Sequence, residues 1–505
     1  MRNSGLRQGL SDGSANPISL AILAAMLVFT AVWQLVLDPL LMDLVRSAYR
    51  MESIALLNDT MQGREAWPLE FYLNKASSLS AITLMCLIAY LLVVLMVLRP
   101  ELYGKDIMKP EERRRIQAGL LILSLLGIGL AVGSGAQHDY TAYLEQWDLI
   151  VSGAQDPWGM HSSNAYGPAY NLFALPYLIH PLLPKLLFCF TWLCCSIYLV
   201  TLFIRQRNKG SAAWIAFVFI AMNPLFWVTT VIDGNFDIVV AAACLAGVAA
   251  RSNRRDAVAA VLLALAVLLK YYPLAMVPFM MFDGRRLNRR FTLVFGISLV
   301  GGLLASIWIW GLSTFEPLLF ATDRPSKYLS IFYFFRGEFS PLQFFMESPD
   351  LDGFSMPILL FGGGLVFALA WQRRLSVTPS AIVGMLTGLA LYKVGHLQFL
   401  AVVVLLIWYW WGRDRIEYLA NPGVSAAIGV YSVWIGAVSA AYLITAIYSG
   451  NEFGLGGRWE VIRDIIGLPT FMASAWTVVE IFRYHSRAAG VRKQFDRKAS
   501  LPAIN

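Results

Sequence analysis

The sequence predicts an all-α protein that crosses a membrane many times. Its 505 residues are 58% hydrophobic and only 14% charged, with a mean hydropathy of +0.60, a balance foreign to soluble chains of this size. Apolar runs recur at about the 20 residues that a helix needs to cross a hydrocarbon core. Lys and Arg gather at alternate connections between those runs, as retention of cations on the cytoplasmic side requires.

About 12–14 membrane segments follow from these runs, near 18–38, 77–98, 118–134, 182–204, 212–231, 236–250, 257–270, 272–282, 291–312, 356–372, 378–393, 398–411, 422–448 and 466–483. The first is too long for a signal-peptide core and lacks a good cleavage site, so it reads as a retained span. With the N-terminus inside, each basic cluster falls on the cytoplasmic face. These are Arg99 to Arg115, Arg205/Arg207/Lys209, Arg251/Arg254/Arg255, Arg285/Arg286/Arg289/Arg290, Arg373/Arg374, Arg413/Arg415 and the tail from Arg487 to Lys498. The same parity leaves 39–76, 135–181, 313–355 and 449–465 outside, with short interfacial helices expected in these outer loops, one over 140–150.

Two hairpins stand out. The stretch 257–282 has basic clusters at both ends and so crosses an even number of times. Each leg reaches only about 20 Å against a hydrocarbon core of about 30 Å, which sets the turn Lys270-Tyr271-Tyr272-Pro273 inside the outer half of the membrane. The second hairpin, 378–411, turns at Lys393 to Gln398.

The five cysteines (Cys86, Cys189, Cys194, Cys195 and Cys244) lie in apolar runs and read as packed thiols, not as a disulfide framework or zinc site. No Walker loop, Rossmann fingerprint, internal repeat or soluble domain is visible. The net charge of +8 reflects loop asymmetry, which argues against nucleic-acid binding.

Asp139 is the leading candidate for chemistry. It is an isolated carboxylate between His138 and Tyr140, just beyond the apolar run that ends near Val132, on the outer side. An ionisable group at a membrane mouth is a functional candidate by default. The loop that follows is rich in aromatics and proline: Tyr140, Tyr143, Gly153, Asp156-Pro157-Trp158 and Tyr166-Gly167-Pro168. Such rings suit stacking on a sugar face, or serve as a headgroup-level aromatic belt. Outer-side cations include Lys270, Arg324, Lys327, Arg336, Lys393 and His396. Asp233 and Asp237 stand at an outer helix junction, where they pair with Lys270, orient substrate, or in the case of Asp233 cap a helix. The loop 313–355 is basic and aromatic, suited to closing over a lipid phosphate or to interfacial anchoring.

Taken in order, these segments resemble the integral-membrane glycosyltransferases of the C superfamily (GT-C). The resemblance is strongest to glycosyltransferase family 87 and its polyprenyl-phosphomannose-dependent mannosyltransferases. It rests on Asp139-Tyr140, Tyr143, Gly153 and Tyr166-Gly167-Pro168, then Asn223-Pro224 and Asp233-Gly234-Asn235-Phe236-Asp237. Lys270-Tyr271-Tyr272-Pro273 and Lys393, His396, Gln398 and Phe399 follow, so the resemblance covers roughly 115–412. It implies a GT-C-like catalytic core over 116–412. Residues 1–115 are then two additional N-terminal helices with a cytoplasmic loop, and 413–505 are C-terminal helices with a basic tail.

The resemblance implies Asp139 as base and His396 near the donor phosphate. Lys270, Lys393, Arg324, Lys327, Arg336, Tyr140, Tyr166, Asp233, Asp237 and Gln398 are the substrate-binding candidates. The implied donor is a polyprenyl-phosphate sugar, the acceptor a glycolipid or glycan hydroxyl, and the setting the outer face of a bacterial inner membrane. Many superfamily members carry a second acid beside the first and a metal ion. Here Gln137 and His138 precede Asp139, so no metal or other cofactor is expected.

The chemistry fits the residue types on its own terms. An acceptor hydroxyl needs one base within about 2.6–3.2 Å. A phosphate leaving group needs fixed positive charge and no general acid, and a single base opposite the leaving group implies inversion. The alternatives are a transporter or flippase of lipid-linked sugars, which would show repeated halves, and a glycan polymerase or ligase, which would carry its cations in an Arg-rich late loop.

Overall fold

A computed structural model describes residues 110–136, 138–153, 156–158, 166–207, 213–214, 216–336, 351–414, 422–448 and 466–499. The two N-terminal spans expected near 18–38 and 77–98, and the outer segments 39–76 and 449–465, lie outside the described residues. Within them the protein is helical, save a two-stranded hairpin of β1 (Phe282–Asp283) and β2 (Arg286–Leu287). Among the described residues four helical stretches are long and apolar enough to span a membrane: Pro110–Gly133, Leu183–Arg205, Arg289–Asp323 and Asp352–Arg373. The protein is an all-α, polytopic membrane protein.

The chain enters through α1 (Pro110–Gly133) and turns at Gly135 into α2 (His138–Val151), the short helix expected in the first outer loop. Helix α3 (Leu183–Arg207) returns alongside α1. The next crossing is not a regular α-helix. Two π-helical stretches, Phe217–Ala221 and Trp227–Ile232, flank Asn223-Pro224. Pro224 has no N–H to offer, and the Asn223 carboxamide fills in by accepting from the Leu225 N–H and donating to the Phe219 carbonyl. Such widened turns recur at functional sites, and this one ends at the Asp233-Gly234-Asn235 junction.

Helices α4 (Asp237–Ser252) and α5 (Asp256–Leu269) pack as an antiparallel pair. After Lys270 the chain runs through the 3-10 turn Tyr272–Met276 and the single helical turn Val277–Met280 to β1. The second leg of the first hairpin is therefore one of short turns, set by Pro273 and Pro278. Helix α6 (Arg289–Trp310) and the short helices α7 (Glu316–Asp323) and α8 (Ile331–Arg336) follow. Then come α9 (Ser355–Arg373), α10 (Val377–Leu391), α11 (Leu400–Arg413), α12 (Pro422–Tyr448) and α13 (Gly467–Ala499).

Burial sorts these helices into layers. Helix α11 is enclosed from Leu400 to Gly412, and α4 buries most of its length against it. By contrast, the spans Arg289–Asp323 and Asp352–Arg373 bury only 11% of their apolar windows. Their outward side chains, among them Leu293, Trp308, Leu360 and Phe361, form the lipid-facing rim.

The two ends of α4 differ in chemistry. At its C-terminal end the buried Arg251 bridges Asp256 (2.9 Å) and Asp283 (2.8 Å), and Asn288 donates to both carboxylates. At its N-terminal end lie Asp233, Asn235 and Asp237. An ideal helix of this length separates the two ends by about 24 Å, so the arginine-rich end and the carboxylate end lie on opposite sides of the core.

Close approach at Gly167 locks the outer end. Its N–H donates to the Leu269 carbonyl (3.0 Å), and a Cβ there would run into the Leu268 carbonyl. Gly167→Ala is expected to destabilise the protein by about 1–3 kcal/mol. Gly129→Ala on α1, where no described residue lies within 4 Å of the added methyl, should not destabilise the protein. Thermal denaturation of the two detergent-purified variants beside wild type checks the contrast.

Candidate active site

Asp139 occupies the first turn of α2, where the helix dipole favours negative charge. The residue is half-buried. Among the described residues its carboxylate makes no hydrogen bond or ion pair, yet its charge acts on Tyr143, Tyr166, Asp237 and Lys270. It is thus an acid close to a buried lysine but not consumed by it.

Lys270 is held at the end of α5 in extended backbone (φ −160°, ψ 137°). Its Nζ donates to Asp237 Oδ2 at 2.9 Å, with both side chains buried. Three rings surround the ammonium: Tyr166 at 4.9 Å, Phe236 at 5.1 Å and Phe399 at 4.7 Å. The lysine is therefore paired with Asp237 and boxed by aromatics. The Tyr272 hydroxyl reaches toward the same Asp237 carboxylate from the turn that follows Lys270. Tyr272 stacks on Phe399 at 4.5 Å and closes the box from below.

The loop 135–181 folds inward. Tyr140, Tyr143, Trp147 and Tyr170 are fully buried and meet edge-on or tilted at 5.3–6.0 Å. The Tyr143 hydroxyl donates to Asn235 Oδ1 (2.9 Å), and the Tyr166 hydroxyl donates to that of Tyr143 (3.3 Å). Burial holds both phenols above the usual tyrosine range, so they stay protonated. Tyr140 sits in this core, its hydroxyl donating to the Pro181 carbonyl and accepting from the Lys185 N–H. Of these rings Tyr166 alone is only partly buried. Where the sequence suggested a stacking platform or a belt, the structure has an aromatic core, held by ring-to-ring contacts and by the inward hydrogen bonds of Tyr140 and Tyr143, while the Tyr170 hydroxyl and Trp147 Nε1 have no hydrogen-bond partner among the described residues.

The late turn and the third outer loop close the other side. The Lys327 N–H donates to the Lys393 carbonyl (3.0 Å), and a Cβ on Gly395 would press on the Ser330 backbone. Arg324 caps α7 with its guanidinium 5.3 Å from the Phe320 ring, and its charge reaches Tyr166, Lys270 and His396. Burial first, then the charges of Arg324, Lys270 and Lys327, hold His396 well below the ordinary histidine range and keep its imidazole neutral.

The remaining candidates fall further out. Arg336 pairs with Asp352 (3.1 Å), which also accepts from the Ser326 N–H (2.8 Å), so it braces the loop. Lys393 is half-buried and Gln398 buried beside the turn. Asp233 ends the second π stretch, its N–H bonded to the Val228 carbonyl, and does not cap a following helix. Among the described residues no three His, Cys, Asp or Glu side chains gather in a way that could hold a metal ion.

A sequence model of glycosyltransferase family 87 matches residues 164–430, more than half of the chain. The chain belongs to that family. It is accordingly a membrane glycosyltransferase, with a sugar donor and an acceptor as its partners. Neither a curated protein nor a solved structure matches it. The family 87 match takes in the Tyr166-Gly167-Pro168 turn, the Asp233–Asp237 junction, the Lys270 box and the His396 turn. It begins after Asp139, which joins the site through the fold.

Lys185 escaped the sequence reading. It is fully buried, and its Nζ donates to Ser134 Oγ and to the carbonyls of Gly135 and Ile232, each at 2.7 Å. These contacts tie the end of α1, the approach to Asp139 and the Asp233 junction together. Gly234 makes room with φ +70°, where a side chain would strike the Tyr140 ring. A lone lysine opening an apolar run on the outer side was the available signal.

Lys270→Met and Asp237→Leu should each destabilise the folded protein by about 3–5 kcal/mol, because either leaves one uncompensated buried charge. The double variant removes both and is expected to recover most of the loss. Melting temperature and monodispersity on size exclusion report the three outcomes.

Proposed function

We propose that this family 87 enzyme transfers a sugar, mannose in the first instance, from a polyprenyl-phosphate donor to an acceptor hydroxyl on the outer membrane face. The acceptor is a glycolipid or glycan, the setting a bacterial inner membrane, and no metal takes part. One observation carries this reading: the half-buried Asp139 carboxylate, unpaired among the described residues, reaches with its charge a cationic group of Lys270 and Arg324, with Lys327 and the neutral His396 close by.

The chemistry follows from charge. Asp139 accepts the proton of the acceptor hydroxyl as its oxygen bonds to the anomeric carbon. The bond from that carbon to the phosphate oxygen breaks with its electron pair, and negative charge grows on the polyprenyl phosphate. Preset cations stabilise that charge in a site from which water is largely excluded. Neutral His396 adds an N–H donor without repelling Arg324 and Lys270. Attack from the Asp139 side with departure toward the cations inverts the anomeric centre. Lys270, already bound to Asp237, shapes the field and anchors Tyr166, while Arg324 and Lys327 meet the phosphate.

Asp139→Asn preserves shape and removes the base. In membranes supplied with radiolabelled polyprenyl-phosphomannose it should lower transfer by about 10²–10⁴-fold while leaving expression intact, with or without chelator. Wild-type turnover by the variant would refute Asp139 as the base. Transfer by wild type from another phosphate-linked sugar alone would replace mannose in the reading.

A further inference from the structure

We infer that a buried water links His396 to the C-terminal helix α13, making Ser474 a positioning residue for the site. The inference rests on the reading of His396 as a donor-phosphate contact. A small cavity lies between the late turn and α13, with about 20 Å³ open to the centre of a water molecule, enough for one. Its polar lining consists of His396, Thr470 and Ser474, and Phe399 and Leu400 supply part of the apolar wall.

The polar groups are arranged as a water requires. His396 Nε2 is buried and, among the described residues, has no hydrogen-bond partner. A buried ring nitrogen left in that state carries a desolvation cost that a hydrogen bond removes. Ser474 Oγ spends its proton on the Thr470 carbonyl (2.8 Å), which leaves oxygen lone pairs free to accept. Thr470 Oγ1 donates to the Ile466 carbonyl (2.7 Å) and accepts from Trp434 Nε1 (3.0 Å), so one lone pair remains. The buried Tyr431 hydroxyl stands within hydrogen-bond reach of Ser474, which takes up one lone pair of Ser474 Oγ and leaves the other for the water. A water in the cavity donates to His396 Nε2 and to Ser474, and so fixes the ring in the neutral form that presents its Nδ1–H on the other edge.

The C-terminal helix is well placed for this role. A Cβ on Gly467 would press on the Ser330 carbonyl, so the start of α13 docks on the same loop backbone that Gly395 touches. Residues 466–499 lie beyond the family 87 match, and α13 thereby becomes an accessory wall of the site that the match does not contain.

The test uses the full chain in lipid nanodiscs. A cryo-EM map at a resolution that shows waters should contain an isolated peak within hydrogen-bond distance of both His396 Nε2 and Ser474 Oγ. An empty cavity, or acyl-chain density in it, overturns the proposal whatever the donor proves to be. Ser474→Ala should raise KM for the lipid-linked donor about 3- to 10-fold with kcat little changed, and Ser474→Thr, which keeps the hydroxyl, should restore wild-type KM. Equal KM in Ser474→Ala and wild type, or no rescue by threonine, also overturns it. Failure of wild type to use any phosphate-linked donor would remove the donor reading alone, and the map would still decide the water.

Discussion

The buried pair between Lys270 and Asp237 is the constraint on which the outer half of this enzyme depends. Two opposite charges taken out of water survive only with close geometry and further polarisable contacts. Here these are a 2.9 Å ion pair and three aromatic faces. The rings come from three separate places in the chain: Tyr166 from the first outer loop, Phe236 from the junction before α4 and Phe399 from the late turn. Satisfying one ammonium therefore draws together segments far apart in sequence. Asp139 stands within reach of the resulting field without belonging to the pair.

A second lysine performs the matching task on the other flank. Lys185 spends its protons on Ser134, Gly135 and Ile232, and so holds the end of α1 against the π-helical crossing. The two lysines together fix the short path from Ser134 to Asp139. Between them the tyrosine cluster fills the volume with packed rings, the hydroxyls of Tyr140, Tyr143 and Tyr166 bonded inward, and Tyr166 is the partly buried member.

Much of this was legible in the sequence for simple reasons. Hydropathy and cation placement set the helices, since a membrane permits little else. An apolar-flanked Lys270 and an Asp237 demanded partners, and their pairing was among the readings the residues left open. Other features were not legible because composition does not distinguish them. An aromatic loop reads alike whether it stacks on sugar, floats at an interface or forms a core. Only the tertiary placement of the Pro181 and Asn235 oxygens selects the core. The π-helical register around Asn223-Pro224 has no periodic signature in a run that is buried on every side, and the pairing of Arg336 with Asp352 joins two residues 16 apart within the same loop.

The contact at Gly167 bears on how the site is walled. With no side chain between them, the first outer loop and the end of α5 share a backbone hydrogen bond and behave as one solid piece. That piece carries Tyr166 and Lys270, and α2 with Asp139 is stitched to it through Tyr143. Parting these elements would break that bond, so they form one wall beside the Lys270 box. The opposite wall is built otherwise: Arg324 and Lys327 lie in the segment between α7 and α8, whose backbone is tied to the late turn by the bond from the Lys327 N–H to the Lys393 carbonyl. One wall thus closes through a missing side chain, the other through a bond between two loops.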